Sequence, residues 1–121
     1  MKLTVREPET AALRAFLDQR TPELVTSALA VVEVMRAARV AAPDGTGAQR
    51  ARDRLDQTRL VDVDRELLEA AVSWTSARVR ALDAIHLASA LRVRAQQMLV
   101  YDRRLAEAAA AAGLEVLSPG A

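Results

Sequence analysis

Residues 82–117 read LDAIHLASALRVRAQQMLVYDRRLAEAAAAAGLEVL. Their pattern predicts a helix over 82–95, a buried strand at Met98–Tyr101, a helix over 103–112 and a final strand over 114–117. Gly113 favours the end of the second helix, because glycine readily adopts the left-handed backbone that closes a helix. A strand, a helix and a strand in succession predict two parallel strands joined by a right-handed crossover.

The rest of the chain shows the same alternation of helices and short apolar strands. It predicts helices over 8–19, 28–37, 48–57 and 64–76, and strands over 23–26 and 59–63. Ser27 is placed to cap the helix that carries Glu33, and residues 42–47 form the clearest loop. A chain of 121 residues suits one domain. We therefore expect a single α/β domain over residues 1–121, with a short parallel sheet flanked by helices.

The composition excludes several classes of function. The formal net charge is +1, which argues against a protein that coats nucleic acid through bulk electrostatics. Cysteine is absent, so the chain offers neither a disulfide framework nor a thiolate metal site, in keeping with a reducing cytoplasm. The N-terminus has no signal-peptide pattern, and no uncharged apolar run reaches about 18 residues. We expect a cytoplasmic protein with no membrane partner.

Three acids stand beside apolar residues and form the candidate site. Asp83 lies on a helix that is apolar over most of its circumference, Asp102 directly follows a buried-strand candidate, and Glu33 lies inside an apolar helix. An unpaired charge in such surroundings is costly. In α/β folds, ligands gather where strands deliver their C-terminal ends to helices. If the three acids converge there, a divalent cation such as Mg²⁺, which prefers oxygen ligands, is their expected partner.

Each acid also has a purely structural interpretation. Asp102 and Asp83 could be N-caps of the helices that follow them. Glu33 could form an ion pair with Arg36, three residues further along the same helix.

Nearby basic residues carry the same two interpretations. His86, three residues after Asp83, could serve as a general base, but a single His on an apolar helix is more often a hydrogen-bonded structural residue. Arg103 and Arg104, adjacent to Asp102, could contact RNA phosphates or simply lie on a solvated helix face. The pair Arg92 and Arg94 is a weaker candidate of the same kind.

These residues resemble the PIN-domain ribonucleases, and among them the VapC-like toxins of bacterial toxin–antitoxin pairs. The similar segments span almost the whole chain: Val5–Glu9, Thr26–Glu33, Leu82–Ala90, Tyr101–Leu105 and Gly113–Gly120. The resemblance implies a PIN-like three-layer fold and places Glu33, Asp83 and Asp102 on metal-binding positions. It also implies a Mg²⁺- or Mn²⁺-dependent endoribonuclease that acts on RNA, is inhibited by a small antitoxin protein and forms homodimers.

The chain departs from that family at its N-terminus. Family members begin with a hydrophobic strand that ends in an Asp, whereas Met1-Lys2-Leu3 falls inside the short helix that follows this strand. The first, central strand and its acid are therefore expected to be missing, and residues 3–5 are a candidate substitute strand that contains no acid. Loss of a central strand leaves neighbouring edges unpaired. We expect weak or no activity from the chain as written, with the missing acid supplied from upstream sequence.

Three functions are compatible with this pattern. The first is the endoribonuclease toxin, with Glu33, Asp83 and Asp102 as catalytic metal ligands. The second is a catalytically impaired PIN remnant that keeps the antitoxin-binding and dimerisation surfaces. The third is an unrelated α/β protein in which the acids only cap helices.

Overall fold

The computed structural model of the chain describes Ala15 and residues 24–119. The elements in this part of the chain are β1 (Val25–Ser27), α1 (Ala30–Ala41), α2 (Ala48–Asp56), β2 (Arg59–Val61), α3 (Arg65–Val72), α4 (Ala81–Arg92), β3 (Gln97–Leu99), α5 (Arg103–Ala111) and β4 (Glu115–Leu117). Their alternation confirms the predicted α/β class. The predicted helix over 8–19, apart from Ala15, and the N-terminal departure lie outside the described residues.

The last two strands confirm the arrangement predicted from residues 82–117. β3 and β4 pair in parallel, with Met98 opposite Val116, and α5 connects them. Gly113 follows α5 with φ of +95°, which is the left-handed conformation expected of a glycine at a helix end. The predicted strand 98–101 ends earlier, at Leu99, although the Val100 N–H still donates to the Leu117 carbonyl oxygen at 3.0 Å.

The described chain divides into two compact units. One includes residues 29–59, and the other includes residues 26–28 and 60–117. In the first unit, α1 buries a stripe of small and branched residues at every fourth position. This stripe packs with Ala51 of α2 and consists of Ala30, Val34 and Ala38. The rest of α2 is largely exposed.

The second unit has two apolar clusters, which share Trp74 at their margins. The first cluster contains Leu67, Ala71, Val79, Ala84 and Ala88. The second cluster contains Leu87, Val100, Leu105, Ala109 and Leu114. Two faces of α4 thus pack against different clusters, Ala84 and Ala88 against the first and Leu87 against the second, which explains why that helix is apolar over most of its circumference. Many of these residues are alanines, so the helix backbones can approach closely.

The predicted role of Ser27 as a helix cap is wrong. Leu29 occupies the N-cap position of α1, and no side chain caps this helix end. Ser27 is instead the last residue of β1, which pairs with β2, and the next residue continues the pairing because the Ala28 N–H donates to the Val61 carbonyl oxygen at 2.8 Å. The extended strand therefore continues one residue further than predicted, and the Ser27 side chain is fully buried.

No helix within the described residues is long and apolar enough to cross a membrane.

Candidate active site

Asp83 lies in the first turn of α4 and is half-buried. The helix begins at Ala81, after Arg80, which has the extended backbone of an N-cap residue. The alternative interpretation of Asp83 as the N-cap is therefore wrong. A carboxylate in the first turn is favoured by the positive end of the helix dipole. Asp83 does not, however, occupy the position from which a side chain caps the helix.

Asp102 is the N-cap of α5, as its structural interpretation predicted. Its Oδ1 accepts a hydrogen bond from the Leu105 N–H at 3.0 Å. Because a carboxylate has two oxygens, capping through Oδ1 leaves Oδ2 for a second role. Capping and metal binding are therefore compatible in this residue, and Asp102 is exposed enough for an ion to reach it.

The helices at whose N-terminal ends Asp83 and Asp102 lie contribute residues to the same apolar cluster of the second unit. Leu87, one turn after Asp83, packs in one cluster with Val100 and Leu105, which lie on either side of Asp102 in the sequence. The cluster packs the second half of α4, from Leu87 onward, against the first turn of α5 in one group. Two carboxylates thus stand at the N-terminal ends of neighbouring helices.

Glu33 is the fourth residue of α1 and is half-buried. The sequence pattern predicts Glu33 in the interior of its helix, whereas the structure places it in the first turn, because α1 begins only at Ala30. Glu33 belongs to the first unit, and Asp83 and Asp102 belong to the second. Within either unit, the described residues contain no group of three or more His, Asp or Glu side chains placed to hold a metal ion.

The donor chemistry of the three acids fits a hard divalent cation. All three offer only carboxylate oxygens, and Mg²⁺ commonly takes one or two carboxylates and completes its octahedron with water and substrate phosphate. Zinc fits less well, since the chain has one His and no Cys. Asp83 and Asp102 together would supply the number of carboxylates that such an ion commonly takes.

His86 confirms its structural interpretation as a hydrogen-bonded residue. Its Nδ1 lies 3.1 Å from the Ser27 Oγ, across 59 positions of sequence. The imidazole is half-buried, and the serine is fully buried. No sequence pattern pointed to this pair, because its members come together only through the tertiary fold.

The two arginines beside Asp102 are exposed on α5. Arg103 forms a loose i,i+4 ion pair in which its Nε lies 3.7 Å from the Glu107 carboxylate, which also binds Arg78 at 3.1 Å. Exposed pairs of this kind contribute little stability. Arg103 and Arg104 are therefore accessible to an anionic ligand.

Arg92, a weaker candidate for phosphate contact, forms a paired contact with Asp64 instead. Its two terminal nitrogens donate to the two Asp64 oxygens at 3.0 and 2.9 Å, while Asp64 also caps α3 by accepting from the Leu67 N–H at 2.8 Å. The Arg92 guanidinium and the Leu67 N–H together lower the pKa of Asp64. This contact joins the end of α4 to the start of α3.

Comparison with known protein families matches residues 1–111 to the PIN domain. The chain belongs to the PIN-domain family. Among proteins of known sequence, this PIN domain is 42% identical to Ribonuclease VapC46 of Mycobacterium tuberculosis, over 98% of the chain and 91% of the relative. It is 38% identical to Ribonuclease VapC35 of the same species, over 99% of the chain and 91% of the relative. No solved structure matches it significantly.

These matches confirm the family expected from five separate sequence segments. They also bear out the nuclease prediction at the level of the family, since the relatives of this PIN domain are named ribonucleases. The assignment of Glu33, Asp83 and Asp102 as ligands stays a prediction.

Proposed function

We propose that this chain is a metal-dependent endoribonuclease toxin that hydrolyses RNA phosphodiester bonds. The observation that carries the proposal is the position of Asp83 and Asp102, at the N-terminal ends of helices that share one apolar cluster, in a PIN domain. The relatives named ribonucleases over nearly the full chain support it. They favour the enzyme over a binding module without activity and over an unrelated α/β protein.

The proposed reaction adds a water oxygen to phosphorus and breaks the bond to one ribose oxygen. Asp83 and Asp102 bind the divalent cation, and Glu33 is the third proposed ligand. The cation supplies Lewis-acid stabilisation of the developing negative charge. Arg103 and Arg104 are exposed next to Asp102 and are proposed to hold the RNA backbone through its phosphates. Asp102 keeps its capping bond throughout, which fixes its rotamer.

Dependence on a divalent metal is general among PIN-domain ribonucleases. Mg²⁺ or Mn²⁺ as the specific ion is our proposal, and it is supported by the all-carboxylate donor set. The name VapC of the relatives supports an antitoxin as the protein partner and RNA as the substrate. A homodimer, a cytoplasmic location and a single domain over residues 1–121 are further proposals. The last is supported by a family match that extends over residues 1–111.

The test is RNA cleavage by the purified chain with EDTA, Mg²⁺ or Mn²⁺, in the wild type and in Asp83→Asn, Glu33→Gln and Asp102→Asn. We expect cleavage that needs an added ion and falls at least about 100-fold in each variant, the scale of loss seen when one group that stabilises charge is removed from an active site. Weak cleavage by the wild type is sufficient for this test, because each variant is compared with the wild type as a ratio of cleavage rates.

Asp64→Asn is the matched control for Asp102→Asn. In both residues the carboxylate caps a helix by accepting a hydrogen bond from the backbone N–H three positions later in the chain. Asparagine caps a helix about as well as aspartate. Loss of cleavage in Asp102→Asn alone separates the ligand role from the cap. Cleavage that persists in EDTA, or that survives in Asp83→Asn, contradicts the proposed function.

A further inference from the structure

Ser27 places a hydroxyl group in the fully buried interior of the second unit. A buried hydroxyl is costly unless it finds a hydrogen-bond partner. Ser27 Oγ meets the Nδ1 of His86 at 3.1 Å. The bond therefore joins two elements that are distant in sequence, the end of β1 and the second turn of α4.

Both ends of this bond are held by their surroundings. On the strand side, the Ala28 N–H donates to the Val61 carbonyl oxygen at 2.8 Å and fixes the chain directly after Ser27. On the helix side, Leu87 and Ala84 are completely buried on either side of His86. A hydrogen bond between two such fixed points restricts both the rotation and the sliding of α4 against the strand.

Asp83 lies three residues before His86, so both side chains project from the same face of α4. Any rotation of the helix that moves the imidazole also moves the Asp83 carboxylate. A serine hydroxyl can either donate or accept. The link therefore persists whether or not Nδ1 carries a proton.

We propose that Ser27 and His86 are positioning residues whose hydrogen bond fixes the first turns of α4 against the end of β1 and thereby holds the Asp83 carboxylate in place for the divalent cation. This inference rests on the proposed function, in which Asp83 is a metal ligand. Groups that orient a metal ligand from outside commonly change metal affinity by about 10- to 100-fold when they are removed.

The experiment compares Ser27→Ala, His86→Leu and His86→Asn with the wild-type chain. The asparagine side chain places an amide atom where His86 has Nδ1, so it can keep the bond. Ser89→Ala is the matched control, because Ser89 is an equally buried serine on the same helix whose hydroxyl donates within α4, to the Ile85 carbonyl oxygen at 2.8 Å. The readouts are the dissociation constant for Mn²⁺ by titration calorimetry and the hydrogen-exchange rates of the α4 amides.

We expect Ser27→Ala and His86→Leu each to raise the Mn²⁺ dissociation constant by about 10-fold and to speed amide exchange in the first turns of α4. His86→Asn and Ser89→Ala should stay within about twofold of the wild type in both readouts, as expected when the cross-link is kept. Equal losses in His86→Asn and His86→Leu, or in Ser89→Ala and Ser27→Ala, would overturn the proposal.

The two proposals fail in different ways. A wild-type chain that binds no Mn²⁺ refutes the proposed function, and amide exchange alone then decides whether the bond fixes α4. Mn²⁺ binding by the wild type with unchanged affinity in Ser27→Ala and His86→Leu refutes the positioning role and leaves the nuclease proposal intact. Should Ser27→Ala fail to fold, the comparison of His86→Leu with His86→Asn gives the same decision.

Discussion

Leu87→Ala is expected to be among the most damaging single truncations in the second unit. Leu87 is 0% exposed and packs with Val100, Leu105, Ala109 and Leu114. The substitution removes three buried carbon groups, each of which contributes about 0.8 kcal/mol of transfer free energy, or about 2.4 kcal/mol together. The cavity that remains adds to this loss, and buried Leu→Ala changes cost about 2–5 kcal/mol. We expect the free energy of unfolding to fall by about 3–4 kcal/mol.

Leu82→Ala is the control on the same helix. Leu82 is 50% exposed, so only about half of the transfer term applies and no closed cavity forms. Its expected cost is about 1 kcal/mol. Urea denaturation followed by circular dichroism measures both variants, and equal denaturant slopes make the two free energies comparable. A fall in the free energy of unfolding of less than about 1.5 kcal/mol in Leu87→Ala, or of no more than in Leu82→Ala, would refute the tight packing of Leu87.

The remaining predictions concern a helix start and a helix end. Since the pKa of Asp64 is lower in the folded protein than its ordinary value of 3.8, its contacts with Arg92 and Leu67 stabilise the fold above that pH and lose this effect as the pH falls through the folded pKa. Asp64→Asn should therefore be less stable than the wild type at pH 7 in urea denaturation, and the difference should shrink as the pH is lowered from about 4 through the folded pKa of Asp64. A difference that does not change with pH would contradict the pairing. Gly113→Ala should cost about 1–2 kcal/mol, because φ is +95° and an added Cβ meets nothing within 4 Å, so the cost is entirely in the backbone. Gly113→Asn should cost less, and equal losses in the two variants by thermal denaturation would contradict this explanation.

The sequence was sufficient for features that depend on neighbouring residues. Asp102 could be identified as a cap and Gly113 as a helix end, because each role depends on only a few adjacent positions. The parallel pairing of β3 and β4 followed from the strand–helix–strand order. The ends of the predicted elements were wrong by one to four residues. For this reason Glu33 was predicted in a helix interior although it lies in a first turn, and Ser27 was predicted as a cap although it is a strand residue.

Contacts between distant residues could not be predicted from a single sequence. The bond between Ser27 and His86 spans 59 positions, and that between Asp64 and Arg92 spans 28. Each of these residues has an ordinary local explanation, as a cap, a core histidine or a solvated arginine. Only the folded chain distinguishes Arg92, whose two terminal nitrogens bind Asp64, from Arg103 and Arg104, whose side chains are exposed.

The alanines at the centres of the packed clusters limit how this protein can change over evolutionary time. Ala84 and Ala109 are completely enclosed in the second unit, and Ala51 is enclosed in the first. Replacement of an enclosed alanine by any bulkier residue forces neighbours apart and typically costs about 1–3 kcal/mol, while replacement by glycine loosens a helix by roughly 0.5–1 kcal/mol. Such positions have almost no neutral alternatives. Divergence among descendants should therefore accumulate on the outer faces of the helices, while these small residues stay the same.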